Sequence, residues 1–219
     1  MNKSEVLKRI TEIGIVPVVR AASADEAMRA IDAIREGGIS VLEITLTVPG
    51  AVVVIEALAK RFGDEVTVGA GTVLDAETAR VCILAGAQFI VSPALNLKTI
   101  EMCRRYSIAM MPGALTPTEV ITAWQAGADM VKIFPCSAMG GASYLKALKA
   151  PLPQVEMIPT GGVSLKTAAD FIKAGASALG VGSDLVDTKA IRAGEPEKVT
   201  QAARAYVDTV REARAQSFE

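Results

Sequence analysis

Eight short apolar runs rich in Val and Ile recur along the chain, at residues 15–20, 40–47, 66–72, 89–93, 108–112, 130–135, 155–160 and 178–183. Each is nearly continuous in apolar character, the pattern of a strand buried on both faces of a parallel sheet. A lone run of this kind reads equally as a buried helix segment. Regular alternation with longer helical stretches decides for strands.

The intervening segments carry helix punctuation. Ser23 precedes Ala24-Asp25-Glu26, a cap with acids in the first turn, and Asp75 opens Ala76-Glu77-Thr78. Thr116-Pro117-Thr118-Glu119 sets Pro at a first helical position with an acid three residues after the threonine. Gly37-Gly38, Gly86, Gly127 and Gly175 stand where helices end, the last three inside an Ala-Gly-Ala tripeptide at 85–87, 126–128 and 174–176. The unequal gaps mark repeated αβ joints rather than a solenoid. Eight βα units in 219 residues predict an α/β TIM (β/α)8 barrel, with an additional N-terminal helix over residues 3–13 closing its base. An open doubly wound sheet is the other arrangement. No GxGxxG follows the first strand, and the short even spacing favours closure. No linker or composition break divides the chain, so the expectation is a single domain over residues 1–219.

Composition narrows the chemistry. The chain has no histidine, which excludes Ser-His-Asp and Cys-His nucleophiles, HExxH zinc sites and imidazole bases. Lys+Arg number 23 against 24 Asp+Glu, and a net charge of -1 argues against nucleic acid as a partner. Cys82, Cys103 and Cys136 are widely spaced with no CxxC, as expected of reduced thiols. Residues 1–5 lead into charged helical sequence without a signal peptide's apolar stretch, and no uncharged apolar run approaches the ~20 residues of a membrane span. A soluble cytoplasmic protein, without a membrane partner, is expected.

In a barrel, functional groups gather at the carboxyl ends of strands. Lys132 lies in the apolar run Val131-Lys132-Ile133-Phe134-Pro135, and alternation places it with Phe134 on one face. Desolvation would lower its pKa and leave a neutral amine able to form a Schiff base with a carbonyl. The structural alternative is a lysine whose stem packs and whose head snorkels to water. Glu43, in Leu42-Glu43-Ile44-Thr45-Leu46-Thr47, shares a face with Thr45 and Thr47. Its strand and that of Lys132 are both even-numbered and contribute to a common interior layer. The two can meet as a proton-shuttling pair or as a structural ion pair.

Glycines punctuate the last two strands, in Thr160-Gly161-Gly162-Val163-Ser164 and Gly180-Val181-Gly182-Ser183. Loops after strands 7 and 8 of many barrels bind phosphate through backbone N–H groups. Either cluster alone is explained by a tight turn; the pair on adjacent strands points to phosphate. Gly69-Ala70-Gly71-Thr72 leaves room for a substrate with a hydroxyl beside it. Ser92-Pro93 and Met111-Pro112-Gly113 end strands 4 and 5. Arg20, ending strand 1, can clamp a carboxylate through its planar fork or pair with a nearby acid. Cys136 reads as a packed thiol, since no histidine can activate it.

Seven segments in this order resemble the 2-keto-3-deoxy-6-phosphogluconate (KDPG) and 4-hydroxy-2-oxoglutarate (KHG) aldolase family. They are Leu42-Glu43-Ile44-Thr45-Leu46, Gly69-Ala70-Gly71-Thr72-Val73, Phe89-Ile90-Val91-Ser92-Pro93, Met111-Pro112-Gly113, Val131-Lys132-Ile133-Phe134-Pro135, Pro159-Thr160-Gly161-Gly162-Val163 and Gly180-Val181-Gly182-Ser183. The resemblance implies a metal- and cofactor-independent class I aldolase on a TIM barrel, a homotrimer acting on keto acids and pyruvate. It implies Lys132 as the Schiff-base lysine, Glu43 as the proton shuttle and Thr72 at the pyruvate carboxylate. Phe134 and Pro93 would line the same pocket, and Gly161, Gly162, Gly182 and Ser183 would hold phosphate. Some members carry an arginine after the strand-2 leucine, where this chain has Thr47. Others have Thr-Val-Pro there, as in Thr47-Val48-Pro49, with an arginine ending strand 1, which moves the carboxylate clamp to Arg20. The competing readings are a phosphate-barrel isomerase or thiamine-phosphate-synthase-like enzyme without a Schiff base, and a catalytically silent assembly barrel.

Overall fold

Apolar runs of five residues or fewer form strands here because each has partners on both sides and buried surface on both faces. A computed structural model describes residues 1–216, so the expected 1–219 unit runs three residues past the described ones. The strands are β1 (Ile15–Val19), β2 (Val41–Thr45), β3 (Thr67–Gly71), β4 (Phe89–Val91), β5 (Ala109–Met111), β6 (Gly113–Ala114), β7 (Val131–Ile133), β8 (Met157–Pro159) and β9 (Leu179–Val181). The helices are α1 (Lys3–Ile13), α2 (Ala24–Glu36), α3 (Ala51–Phe62), α4 (Ala76–Leu84), α5 (Leu97–Arg105), α6 (Pro117–Gln125), α7 (Ala142–Lys149), α8 (Ala168–Lys173), α9 (Thr188–Ala193) and α10 (Pro196–Ala215). Each of the eight expected runs supplies a strand. None of the described helices is long and apolar enough to cross a membrane.

All strand pairs are parallel, in a six-stranded sheet ordered β5-β4-β3-β2-β1-β9 and a three-stranded sheet ordered β6-β7-β8. The division falls at Pro112, the last residue of the expected fifth strand, which forms β5 and is followed by the separate short β6. Proline has no N–H to donate to a ladder. Its carbonyl still accepts from the Lys132 N–H at 2.9 Å, and the Met110 carbonyl accepts from Asp129 N–H at 3.0 Å. On the other side, β8 and β9 meet through an isolated parallel bridge, Thr160↔Gly180.

The sequence punctuation does what it advertises. Ser23, Asp75 and Thr116 each cap a helix through the side chain, with Thr116 and Glu119 closing a capping box. The three Ala-Gly-Ala joints have glycine φ values of 99°, 96° and 96°, one left-handed turn used three times.

Strand alternation separates two cores. Ile15, Val19, Leu42, Ile44, Ile90, Val131 and Leu179 face the helices. Val16, Val41, Phe89, Val91, Met111, Met130, Ile158 and Ala178 form a second cluster with Val6 and Ile10 of α1. The expected N-terminal helix therefore presents an i, i+4 apolar pair to the inner strand faces, and the apolar floor lies beneath the site.

One inner layer runs in register through Val18, Glu43, Gly69, Phe89 and Ala109. Its two small members leave width for the Phe89 ring, and a Cβ at Gly69 would stand 2.3 Å from that ring. Gly69→Ala is expected to cost about 1–3 kcal/mol through overpacking, read as a lower urea midpoint at unchanged slope. An unshifted midpoint would show that Phe89 has room to retreat.

Candidate active site

Lys132 and Glu43 point inward from β7 and β2, 4% and 2% exposed, with Nζ 3.9 Å from Oε1. That spacing is too wide for a direct hydrogen bond, and Glu43 Oε1 has no hydrogen-bond partner among the described residues. The lysine head also lies 5.2 Å from the Phe134 ring centroid, on the electron-rich side a cation prefers. Snorkelling to water is thus not what Lys132 does.

Burial raises the Glu43 carboxyl above the ordinary 4.5, with Lys132 and then Arg20 pulling the other way. The glycine beside it is obligatory for this arrangement, since a Cβ on Gly71 would fall 2.0 Å from Glu43 Oε1. The small residues of β3 therefore make room for protein side chains. Gly69 admits Phe89 and Gly71 admits Glu43, which corrects the expectation that they clear space for substrate. Directly after Gly71, Thr72 adopts φ 60°. A β-branched residue is rarely found there, and such strain costs about 1–3 kcal/mol.

A cavity of about 610 Å³ opens at the carboxyl ends of the strands. Its walls include Arg20, Phe134, Gly161, Gly162, Gly182 and Ser183 from the expected set, joined by Val18, Thr160, Ser164 and Asp184. Lys132, Glu43, Thr47, Thr72 and Pro93 are outside this wall. Phe134 connects the two groups, lining the cavity while facing the lysine head. Pro93 instead packs on β6, where a Cβ at Gly113 would come within 2.2 Å of its carbonyl carbon.

Thr47 is tied back to the strand ends. Thr45 Oγ1 donates its one proton to the Val19 carbonyl at 3.1 Å, so in the 2.7 Å contact between the two hydroxyls Thr47 is the donor. This chain steadies the residue before Arg20 and leaves Thr47 only lone pairs for anything else. Cys136 is buried, its thiol pushed up to about 11 by burial, and its Sγ donates weakly to the Gly141 carbonyl at 3.5 Å. It is a packed thiol. Asp184 escaped the sequence reading although it directly follows Gly182-Ser183. Its position directly after the glycine-serine turn was the available signal.

A Glu whose folded pKa is raised stabilises the fold below the unfolded value, and that contribution is lost as pH rises through the folded one. The stability of wild type relative to Glu43→Gln should therefore fall as pH rises from about 4.5 upward, measured by denaturant titration. A relative stability that climbs over that range would mean Lys132 and Arg20 outweigh burial.

Residues 6–202 match the family described as KDPG and KHG aldolase. The chain is 38% identical over 205 residues to the 2-dehydro-3-deoxy-6-phosphogalactonate aldolase of Escherichia coli, covering 93% of this chain and 97% of the relative. Among solved structures it is similar to the KDPG aldolase of Legionella pneumophila, captured with pyruvate at low pH as a covalent carbinolamine intermediate. That match has a TM-score of 0.85 at 29% identity and covers 94% of this chain and 98% of the other. A cube-shaped protein cage designed by fusing symmetric oligomeric domains also aligns, with a TM-score of 0.85 at 37% identity over 94% of this chain and 74% of the cage chain.

Proposed function

Because the chain belongs to the KDPG and KHG aldolase family, we propose that it is a class I lyase working through a Schiff base on Lys132. It cleaves 2-keto-3-deoxy-6-phosphogluconate to pyruvate and glyceraldehyde 3-phosphate, and 4-hydroxy-2-oxoglutarate to pyruvate and glyoxylate. The observation that carries this reading is a buried amine 3.9 Å from a buried carboxylate oxygen that has no hydrogen-bond partner among the described residues.

The amine of Lys132, its proton passed to Glu43, adds to the C2 carbonyl, and the carbinolamine takes that proton back and loses water to give an iminium. Glu43, whose proton affinity burial has increased, is the group that takes up and returns protons in these steps. It then accepts the C4 hydroxyl proton. The C3–C4 bond breaks, its electrons pass to the iminium nitrogen, and the aldehyde leaves. Protonation of the enamine at C3 and addition of water release pyruvate and regenerate the amine. The iminium is the electron sink, the role a metal fills in class II aldolases.

Arg20 holds the substrate carboxylate, with Thr72, Pro93 and Phe134 around the pyruvate end and Thr47 at the rim. Gly161, Gly162, Gly182 and Ser183 bind phosphate through backbone N–H groups and the serine hydroxyl. The cavity wall that brings these four together supports the assignment.

The two parallel sheets, linked at Pro112 and at the Thr160↔Gly180 bridge, constitute one (β/α)8 barrel and one domain with α1 beneath it. A cytoplasmic homotrimer is the form in which it works. The exposed apolar side chains Val81 and Leu84 on α4, Leu97 on α5 and Trp124 on α6 lie on consecutive helices, and such an assembly would cover them. Similarity to a cage made of symmetric oligomeric domains agrees with this.

Borohydride in the presence of pyruvate should trap an adduct on Lys132, detected by mass spectrometry of its peptide. No adduct, or one on another residue, would return the chain to the isomerase, synthase or assembly readings. Glu43→Gln should slow proton exchange at the pyruvate methyl by about 10²–10⁴-fold while trapping persists. Arg20→Ala should raise KM for keto acids by about tenfold or more, and an unaltered KM would place the clamp elsewhere.

A further inference from the structure

The two glycine turns proposed to bind phosphate belong to different strands, so neither can set their mutual spacing. β8 and β9 meet at Thr160↔Gly180, after which the chain enters the two turns. The first turn closes on itself, since Thr167 Oγ1 donates to the Gly162 carbonyl at 3.1 Å and accepts from Ser164 N–H at 2.9 Å. What crosses from one turn to the other is Asp184. It follows Ser183 in the second turn, and its Oδ2 accepts from the Leu165 N–H of the first at 3.2 Å.

The same oxygen accepts from the Tyr206 hydroxyl of α10 at 2.6 Å. A carboxylate can only accept, so the phenol donates. Tyr206 is fully buried, and burial together with the Asp184 carboxylate pushes its phenol well above the usual range, so the donor keeps its proton. Asp184 also forms part of the cavity wall, where a freely moving carboxylate would repel an anion. Two donors on one oxygen restrain it and disperse its charge.

We propose that Tyr206 and Asp184 are positioning residues forming a brace that holds the two glycine turns at the spacing a phosphate requires. The brace sets the preference for phosphorylated over unphosphorylated keto acids from a helix that does not line the cavity. This rests on the phosphate reading above. Lysine chemistry lies elsewhere, so loss of the brace weakens phosphate recognition and leaves bond cleavage intact.

The test compares 2-keto-3-deoxy-6-phosphogluconate with 2-keto-3-deoxygluconate, which differ only by the phosphate. Tyr206→Phe and Asp184→Ala should each raise KM for the phosphorylated substrate about tenfold, the scale of one lost hydrogen bond to a charged group. For the unphosphorylated substrate kcat and KM should stay within about twofold. Asp184→Asn, which keeps an acceptor oxygen, should recover most of the loss. Equal shifts on both substrates, no shift, or an Asn variant as impaired as the Ala variant would overturn the brace. Should Tyr206→Phe fail to fold, the two Asp184 variants, at an exposed position, decide the matter alone. Equal KM values for the two substrates in wild type, with no competition by glycerol 3-phosphate, would remove the phosphate reading and the brace with it. A wild-type preference that the variants leave untouched removes only the brace.

Discussion

A carboxylate and an ammonium buried almost completely from water, 3.9 Å apart, impose more on this fold than any other contact. Each ion alone would lose far more hydration than the interior returns, and even together they are weak evidence for stability. The surroundings are shaped to tolerate them. Gly71 lacks the side chain that would strike Glu43. Gly113, in register with Lys132, lacks the one that would strike Pro93. Replacing such a pair by apolar residues of similar volume is often neutral or stabilising, so its presence on inner strand faces fits a chemical use.

The pair also explains why the interior is built in two grades. Below it, Val16, Val41, Met111, Ile158 and the α1 side chains Val6 and Ile10 make an apolar floor. Above it, the walls become glycine, threonine and arginine, with a cavity at the carboxyl ends of the strands. An apolar floor keeps the local dielectric low on one side, strengthening the pull between the charges. The open side admits a polar substrate. Thr72, strained at φ 60°, follows directly on the carboxyl end of β3.

Much of this was legible in the residues alone, and the reason is local contrast. Lysine and glutamate inside Val/Ile runs violate burial rules visibly, and two glycine clusters after successive strands violate strand propensity visibly. Capping signals at Ser23, Asp75 and Thr116 needed only their own helices. What could not be read depends on partners distant in the chain. That Gly69 serves the Phe89 ring, 20 residues on, requires the register of β3 against β4. The break at Pro112 depends on what pairs with each side of it. The Thr45 bond to the Val19 carbonyl and the tie from Asp184 to Tyr206 run between separate elements, and nothing in local composition marks them.

In the proposed mechanism this chain, which lacks histidine, obtains its proton carrier for neutral pH from a carboxyl, a group ordinarily fully ionised there. Burial of Glu43 moves its carboxyl in the needed direction, and the cations at Lys132 and Arg20 moderate the shift. Those two cations are not equivalent in the proposed mechanism. Conversion of Lys132 to the iminium keeps a positive charge beside the carboxylate, whereas an anionic substrate group paired with Arg20 cancels much of that residue's field. In that mechanism substrate binding removes one of the two influences that lower the Glu43 pKa, and its proton affinity rises when a proton must be accepted from the C4 hydroxyl. An imidazole would titrate near neutrality with or without substrate. In the proposed mechanism a buried carboxylate balanced by a cation on the cavity wall has its basicity tied to occupancy of the site.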